Sequence, residues 1–543
     1  MKTLSGGARI RVVLACAVIP AAFVLVLASW HWRAPEDVHV AGLFQGDMAT
    51  YLCNARMAAE HLGVAYASPY DVRDSARSVF VQLPISLLGL LLRLGLEPPW
   101  ATQGLRLVFG FGMFLAVATL LRRIFPEERW FWPSFLVVSL GGGFAWLVAL
   151  VATPSFGIQQ VEAGYYWWFL NVFRNLAYPL ETIYHAVLFA HLLALATGRW
   201  GVANSLLLVA ALSNPFLTVQ MAGVHVVCAV AGPGARTQRA LGVPILALFG
   251  VYYGLLLPLD PIGGVLRDAH AEAYPAPLAF ADMAVAYGPA LLVLPILIFD
   301  RAFRARVVQD RNTLPVLALT LWTLILVHHS RIPGAASAQP MHFTRGYLFF
   351  GLWVLLLVWV RGLDLPPRLR GPGAALAASI LLVAVTLPDN LAFVRDRSRV
   401  KLQHTFVWSL PTEALLENLR ELSPPMRVLA RGEHLGARIC AFTRHRPLIG
   451  TRYTTPGFAE RVQASRRFLA NPASDEPIAG YGVEAVVISV REEATVERLR
   501  AAEAWMRVFK NSEWAIFRRV DRPLAPMPGG ALKKVPVKHP NLP

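Results

Sequence analysis

The sequence predicts an α-helical polytopic membrane protein of about eleven spans, followed by a small C-terminal α/β domain. Of its 543 residues, 55% are hydrophobic and 16% are charged, whereas soluble domains carry about 25% charged residues on average. The apolar residues form blocks of about 17–25, the length that crosses a bilayer core. After residue 390 charged residues return, and β-like runs alternate with helical ones.

The net charge of +17 indicates a membrane topology rather than nucleic-acid binding. Much of the arginine stands in short clusters between apolar blocks, where the positive-inside rule places cytoplasmic loops. Nucleic acid is therefore not expected among the partners, whereas membrane lipids are. The four cysteines show no metal or redox spacing.

The first apolar block, residues 11–31, is predicted to be a membrane helix that is not cleaved. Three basic residues before it place the N-terminus in the cytoplasm: Lys2, Arg9 and Arg11. An outer loop of residues 33–79 follows. Block 80–96 is expected to lie at the outer interface, because counting it as a span would put the next arginine cluster outside.

The later blocks alternate across the membrane, with arginine clusters on the cytoplasmic side. The predicted spans are residues 101–121, 131–151, 178–197, 201–213, 216–231, 241–257, 284–300, 313–329, 343–360 and 371–388. Ser213-Asn214-Pro215 divides residues 201–231 into a hairpin, because a single helix would leave its flanking arginines on opposite sides. The transmembrane domain is thus predicted to cover residues 1–389, with the C-terminus outside.

Residues 390–520 are predicted to form an extracytoplasmic α/β domain. Strands are expected at Arg427–Ala430, Pro447–Gly450 and Ala485–Val490, with a hairpin through Val508–Val520. Helices are expected at His434–Phe442, Phe458–Leu469 and Thr495–Ala504. The tail, residues 521–543, is rich in proline and lysine and is expected to be disordered.

Polar side chains concentrate in the predicted outer loops, on one side of the membrane. Asp47 follows the first helix, and a carboxylate at a partly dry site can act as a general base or hold a divalent cation. A helix N-cap is the alternative reading, since a helical run through Ala59 follows. Glu162, in an aromatic-rich loop, is either a second carboxylate facing the same cavity or a solvated loop charge.

Two arginines on that side call for anionic partners. Arg174 precedes one membrane block, with Glu181 and His185 following it on one helical face. Arg345 opens another block against the positive-inside trend. A guanidinium binds a phosphate in a bidentate manner, and a salt bridge to an outer-loop acid is the alternative reading.

The order of segments carries a family resemblance. A first helix precedes an outer loop with Gly46-Asp47…Tyr51 and Ser68-Pro69-Tyr70-Asp71, then a helix opened by Leu83-Pro84 and a span opened by Leu105-Arg106-Leu107. Together with the outer α/β domain and its run Tyr481–Val487, this resembles the polytopic C-type (GT-C) glycosyltransferases, in an uncharacterised bacterial branch.

The resemblance implies inverting transfer of a sugar from a polyprenyl-phosphate donor to a glycan, lipid or protein acceptor, at the outer face of a bacterial inner membrane. It implies that Asp47 is the catalytic base or binds the acceptor hydroxyl. The expected substrate-binding residues are Tyr51, Glu162, Arg174, His185, His342 and Arg345. No metal ligands are assigned; the cofactor is left open, with a divalent cation, Mg²⁺ or Mn²⁺, as one option.

Two other classes of function stay open from the sequence. A transporter or flippase for a lipid-linked or small substrate also needs outer cavities, although repeats with paired broken helices are not evident. A non-catalytic envelope assembly protein would bind partners through residues 390–520. An ATP-driven pump is not expected, because the sequence has no phosphate-cradling Gly-rich loop.

Overall fold

A computed structural model describes the chain in two compact units. One comprises Met1–Ser409 with Tyr453–Pro456, and the other comprises Leu410–Arg452 with Gly457–Pro543. The structure describes residues 6–520 except 44–46, 62, 72–76, 145, 148–170, 232–238, 261, 264–278, 333–338, 365, 367–370, 399–406 and 453. Two predictions concern residues outside these ranges: the site role of Glu162 and the disorder of the tail, residues 521–543.

The first unit is built from apolar helices, and the chain is a multi-pass membrane protein. In the described part of the chain, 6 helices are long and apolar enough to cross a bilayer: Gly7–Trp32, Pro98–Ile124, Pro179–Thr197, Gly242–Leu259, Phe280–Phe299 and Leu376–Val394. Five shorter apolar helices lie among them: Leu83–Arg93, Trp200–Ala211, Pro215–Ala231, Leu314–Val327 and Tyr347–Arg361. The predicted helical membrane fold with a small C-terminal sheet is confirmed.

The N-terminal segment brings a polar helix next to the membrane helices. It contains α1 (Gly6–Trp32), β1 (Val38–Val40), α2 (Asp47–His61), β2 (Ala65–Tyr66), β3 (Phe80–Val81) and α3 (Leu83–Arg93). Helix α3 has 11 residues, or about 16 Å at about 1.5 Å per residue. Since a bilayer core is about 30 Å thick, α3 is too short to cross it, and it packs against α2.

Gly89 lets α3 approach α2 closely. A Cβ built at Gly89 would lie 2.5 Å from the carbonyl oxygen of Ala55. We expect Gly89→Ala to lower the free energy of unfolding by about 1–3 kcal/mol through overpacking, measured by thermal unfolding in detergent. The control is Gly104→Ala, where a Cβ would meet nothing within 4 Å; equal losses in both variants would contradict this packing.

The next helices differ from the prediction at the end of α5. Helices α4 (Pro98–Ile124) and α5 (Glu128–Leu140) are followed by a 3-10 turn (Phe173–Ala177), α6 (Pro179–Thr197), α7 (Trp200–Ala211) and α8 (Pro215–Ala231). The hairpin of α7 and α8 is confirmed. The predicted continuous span 131–151 is wrong, because the helix ends at Leu140 and the backbone is extended at Gly141.

The last part of the first unit ends in a long helix that passes a proline. The elements are α9 (Gly242–Val251), α10 (Phe280–Tyr287), α11 (Val293–Phe299), α12 (Arg301–Gln309), α13 (Leu314–Val327), α14 (Tyr347–Arg361), α15 (Pro372–Ser398) and β4 (Val407–Ser409). Helix α15 continues 10 residues beyond the predicted end at Pro388, a proline that lies inside it. The predicted domain boundary at residue 389 thus falls within a helix. Strand β4 pairs antiparallel with β1.

The second unit is an α/β sheet with helices, as the alternation of runs predicts. It comprises α16 (Leu410–Glu421), β5 (Arg427–Ala430), α17 (Glu433–Phe442), β6 (Arg446–Pro447), α18 (Phe458–Ala470), β7 (Ala485–Ser489), α19 (Glu493–Ala501), β8 (Trp505–Lys510) and β9 (Trp514–Arg519). The strand order is β6-β5-β7-β9-β8. Strand β5 runs parallel to β6 and β7, and β9 is antiparallel to β7 and β8.

Candidate functional site

Asp47 is the first residue of α2, within residues 33–79, the segment predicted to be an outer loop. An acid in the first turn is favoured there by the helix dipole. Its side chain is exposed to solvent, yet the surrounding protein removes enough hydration to raise the pKa of Asp47 above the usual 3.8. The charge of Arg345 opposes that rise. Asp47 is therefore an exposed residue whose carboxylate has lost part of its hydration to the neighbouring protein.

Arg345 and Glu181 form a buried ion pair beside Asp47. Arg345 Nη1 pairs with Glu181 Oε1, and the two side chains are 6% and 4% exposed. Glu181 stands in the first turn of α6, and Arg345 lies just before α14. Both interact electrostatically with Asp47. With both acids ionised, the three groups together carry one net negative charge.

The Arg345 backbone adopts a conformation that side-chain-bearing residues seldom take. Its φ is +26°, and the next residue, Gly346, has a φ of +82°. The Arg345 carbonyl oxygen accepts a hydrogen bond from Asn175 Nδ2 at 3.0 Å and contacts His185 Nε2. Because such strained backbone persists only where its surroundings hold it, Asn175 and His185 fix the place from which the guanidinium projects.

Aromatic and imidazole side chains complete the surroundings of Arg345. Arg345 Nη2 donates to His342 Nδ1, whose ring stacks on Phe216 at 4.6 Å between centroids. Tyr51, one turn after Asp47 on α2, interacts electrostatically with Arg345 and Asp47. Burial raises the pKa of Tyr51 well above 10.0, so its hydroxyl is neutral and can donate or accept a hydrogen bond.

The structure gathers five of the predicted site residues and separates a sixth from them. The five that lie together are Asp47, Tyr51, His185, His342 and Arg345. Arg174 is buried elsewhere and paired with an acid that the sequence did not single out, Asp389. Glu181 was noticed only for its helical spacing; an acid inside an apolar block is the signal that could have placed it in the site.

The acids at this site are not arranged as metal ligands in the described residues. No three His, Cys, Asp or Glu side chains within the described ranges stand close enough to hold one ion. Divalent cations such as Mg²⁺ take oxygen ligands, but Glu181 is already paired with the guanidinium of Arg345. Within the described ranges the structure therefore assigns no ligands to a divalent cation, and the cation named in the sequence analysis stays a prediction.

Comparison with known proteins finds similarity in structure over nearly the whole chain. No protein-family model matches the sequence, and no curated protein sequence matches it. An oligosaccharyltransferase from Archaeoglobus fulgidus, tethered to an acceptor peptide, is 11% identical with a TM-score of 0.47, covering 97% of this chain and 76% of that one. That protein has also been solved with zinc and sulfate.

A bacterial protein is similar over a comparable length. ArnT from Cupriavidus metallidurans, bound to undecaprenyl phosphate, is 13% identical with a TM-score of 0.48, covering 96% of this chain and 100% of that one. The archaeal AglB in complex with an inhibitory peptide and a dolichol-phosphate is 12% identical with a TM-score of 0.44, covering 95% and 75%. At 11–13% identity, these likenesses are in overall structure.

Proposed function

We propose that this chain is an inverting membrane glycosyltransferase that moves a sugar from a polyprenyl-phosphate donor to an acceptor hydroxyl at the outer face of the inner membrane. The observation that carries the proposal is the accessible, partly desolvated carboxylate of Asp47 beside the buried Arg345–Glu181 pair. A general base needs access to its substrate and a pKa raised toward the working pH. Asp47 has both.

The proposed reaction is a single displacement. Asp47 takes the proton of the acceptor hydroxyl while that oxygen forms a bond to the anomeric carbon. The bond from the anomeric carbon to the phosphate oxygen breaks, and the polyprenyl phosphate leaves with the electron pair. Phosphate is a good leaving group, so no acid is needed to protonate it, and inversion at the anomeric carbon follows from one displacement.

Arg345 is the cation that the proposal assigns to the phosphate. Its guanidinium is already shared with Glu181 and His342, so a bound phosphate competes with Glu181 for it. Guanidinium binds phosphate through paired, charge-assisted hydrogen bonds. Positioned donors of this kind stabilise charge as it develops on a leaving group.

The desolvation of Asp47 predicts that the acid limb of the pH profile of kcat/KM lies at a higher pH than an ordinary carboxyl would give. The base must be deprotonated. Partial loss of hydration raises the pKa of Asp47 above 3.8, and the charge of Arg345 opposes that rise. We therefore expect kcat/KM to fall as the pH drops through a pKa higher than that of an ordinary carboxyl. Arg345→Lys keeps the charge and is expected to leave that limb nearly in place. An acid limb at 3.8 or below in the wild type would contradict a desolvated base.

The proposal is tested in cells by comparing wild-type protein with Asp47→Ala. One lipid-linked sugar is expected to accumulate in the variant, and one surface glycan, lipid or protein modification is expected to be lost. The accumulated lipid names the donor. Loss of the modification without any accumulated lipid-linked sugar, or normal glycans in the variant, would overturn the proposal.

A further inference from the structure

Apart from the group around Asp47 and Arg345, two charged side chains that pair with each other are almost fully buried in the first unit. Arg174 lies in the 3-10 turn before α6, and Asp389 lies in α15; their side chains are 2% and 3% exposed. Arg174 Nη2 lies 2.5 Å from Asp389 Oδ2. A charge at the centre of a membrane helix costs about 2.5–3.5 kcal/mol even on the lowest scales. Such a pair therefore calls for a reason beyond packing.

The Arg174 guanidinium is held on several sides at once. Its Nε donates to Asn390 Oδ1 at 3.2 Å, its Nη2 also reaches the backbone oxygen of Asp389 at 3.4 Å, and its Cζ lies 5.3 Å from the centre of the Phe393 ring. All three partners belong to α15. These contacts hold Arg174 against α15. The role of Arg174 as a substrate ligand stays a prediction.

The same acid holds the backbone where α5 stops. Gly143 N–H donates to Asp389 Oδ2 at 2.7 Å, and Asn390 Nδ2 donates to the oxygen of Leu140 at 2.8 Å. A Cβ at Gly143 would lie 3.0 Å from that carboxylate oxygen. The run Gly141-Gly142-Gly143 thus lets the chain after α5 approach Asp389, the acid that also pairs with Arg174.

From Arg174 the contacts lead to Arg345. The Arg174 backbone N–H donates to Asn171 Oδ1 at 3.2 Å. Asn175 Nδ2 donates to the Asn171 oxygen at 2.8 Å and to the Arg345 oxygen at 3.0 Å. The turn that Arg174 braces is therefore the turn that holds the strained backbone of Arg345.

We infer that Arg174 and Asp389 are a positioning pair, which braces the turn of Asn171 and Asn175 so that Arg345 presents its guanidinium to a lipid-linked phosphate. The inference rests on the proposed function for the identity of the ligand. A pair retained only for stability would be replaceable, because buried ion pairs are often no better than apolar contacts. A positioning pair instead changes ligand affinity, through Arg345.

The test is equilibrium binding of undecaprenyl phosphate to the full-length protein in detergent. Asp389→Asn keeps an acceptor for the Gly143 N–H but removes the charge that holds Arg174. We expect it to weaken binding of undecaprenyl phosphate about tenfold or more. Metal sites lose affinity by about that factor when a residue that orients a ligand is removed. The matched control is Asp475→Asn, which breaks an Asp–Arg pair with Arg519 in the second unit and is expected to leave binding unchanged.

Repeating the measurement in an Arg345→Lys background separates positioning from stability. There Asp389→Asn is expected to add little further loss, because the group that it positions has already been changed. Equal fold losses in both backgrounds, or normal binding by Asp389→Asn, would overturn the inference. If Asp389→Asn does not fold, Arg174→Lys serves instead, since it keeps the charge and loses the bond to Asn390. Absence of binding by the wild type would overturn the proposed function itself.

Discussion

Asp47→Asn is expected to lower kcat for sugar transfer by about 10²–10⁴-fold, the contribution of a general base. Asparagine is nearly isosteric with aspartate and still accepts hydrogen bonds, but it cannot take up the acceptor proton. It also loses a favourable interaction with the helix dipole, worth about 0.3–1 kcal/mol, so α2 should persist. The measurement is transfer from the donor that accumulates in cells, with the variant's thermal unfolding recorded alongside.

The matched control for this variant is Asp37→Asn. Asp37 is exposed in the segment between α1 and α2, and it has no part in the proposed site. Its variant is expected to turn over at the wild-type rate. Transfer by Asp47→Asn within about threefold of wild type would remove Asp47 from catalysis, because loss of a base costs at least about 10²-fold.

Arg345→Gln is expected to be the most destabilising single change in the site. It leaves Glu181 buried without its partner and removes the positive charge that opposes the rise in the pKa of Asp47. Breaking a buried pair from one side costs about 3–5 kcal/mol. We expect a loss of that size in the free energy of unfolding at neutral pH, together with loss of undecaprenyl phosphate binding.

The loss is expected to shrink as the pH is lowered. An acid whose pKa is raised in the folded state binds its proton more tightly there than in the unfolded chain, so its penalty grows as the pH rises through the folded pKa. For Asp47 without Arg345, acidification should therefore restore part of the stability. The control is Arg361→Gln, in a half-exposed pair with Glu127, expected to cost less than about 1 kcal/mol; equal costs in both variants would contradict the buried pair.

Elements that depend on local pattern were predictable from the sequence. Strand β5 is found at the predicted residues, Arg427–Ala430, and helix α17 extends the predicted His434–Phe442 by one residue. The short α3 was predictable from the charges. Counting residues 80–96 as a span would put the next arginine cluster outside, against the positive-inside rule. Asp47 was singled out because a charge near the membrane calls for a functional reading, and because the family resemblance places the first-loop acid at this residue.

Long-range pairings account for the parts that the sequence did not reveal. Glu181 and Arg345 are 164 residues apart, and Gly143 and Asp389 are 246 residues apart. Hydropathy is continuous across residues 131–151, so it does not reveal the contact between Gly143 and the acid on α15 that holds the chain just after α5 ends at Leu140. The same acid follows Pro388, where the change in composition suggested a domain boundary rather than a buried contact.

The anomeric configuration of the product tests the central claim most directly. Purified wild-type protein in lipid nanodiscs is given the lipid-linked donor and its acceptor, and the new glycosidic bond is assigned by NMR. A single displacement with Asp47 as the base predicts a configuration inverted from that of the donor. A retained configuration, which a single displacement from the opposite face cannot give, would contradict the proposed role of Asp47.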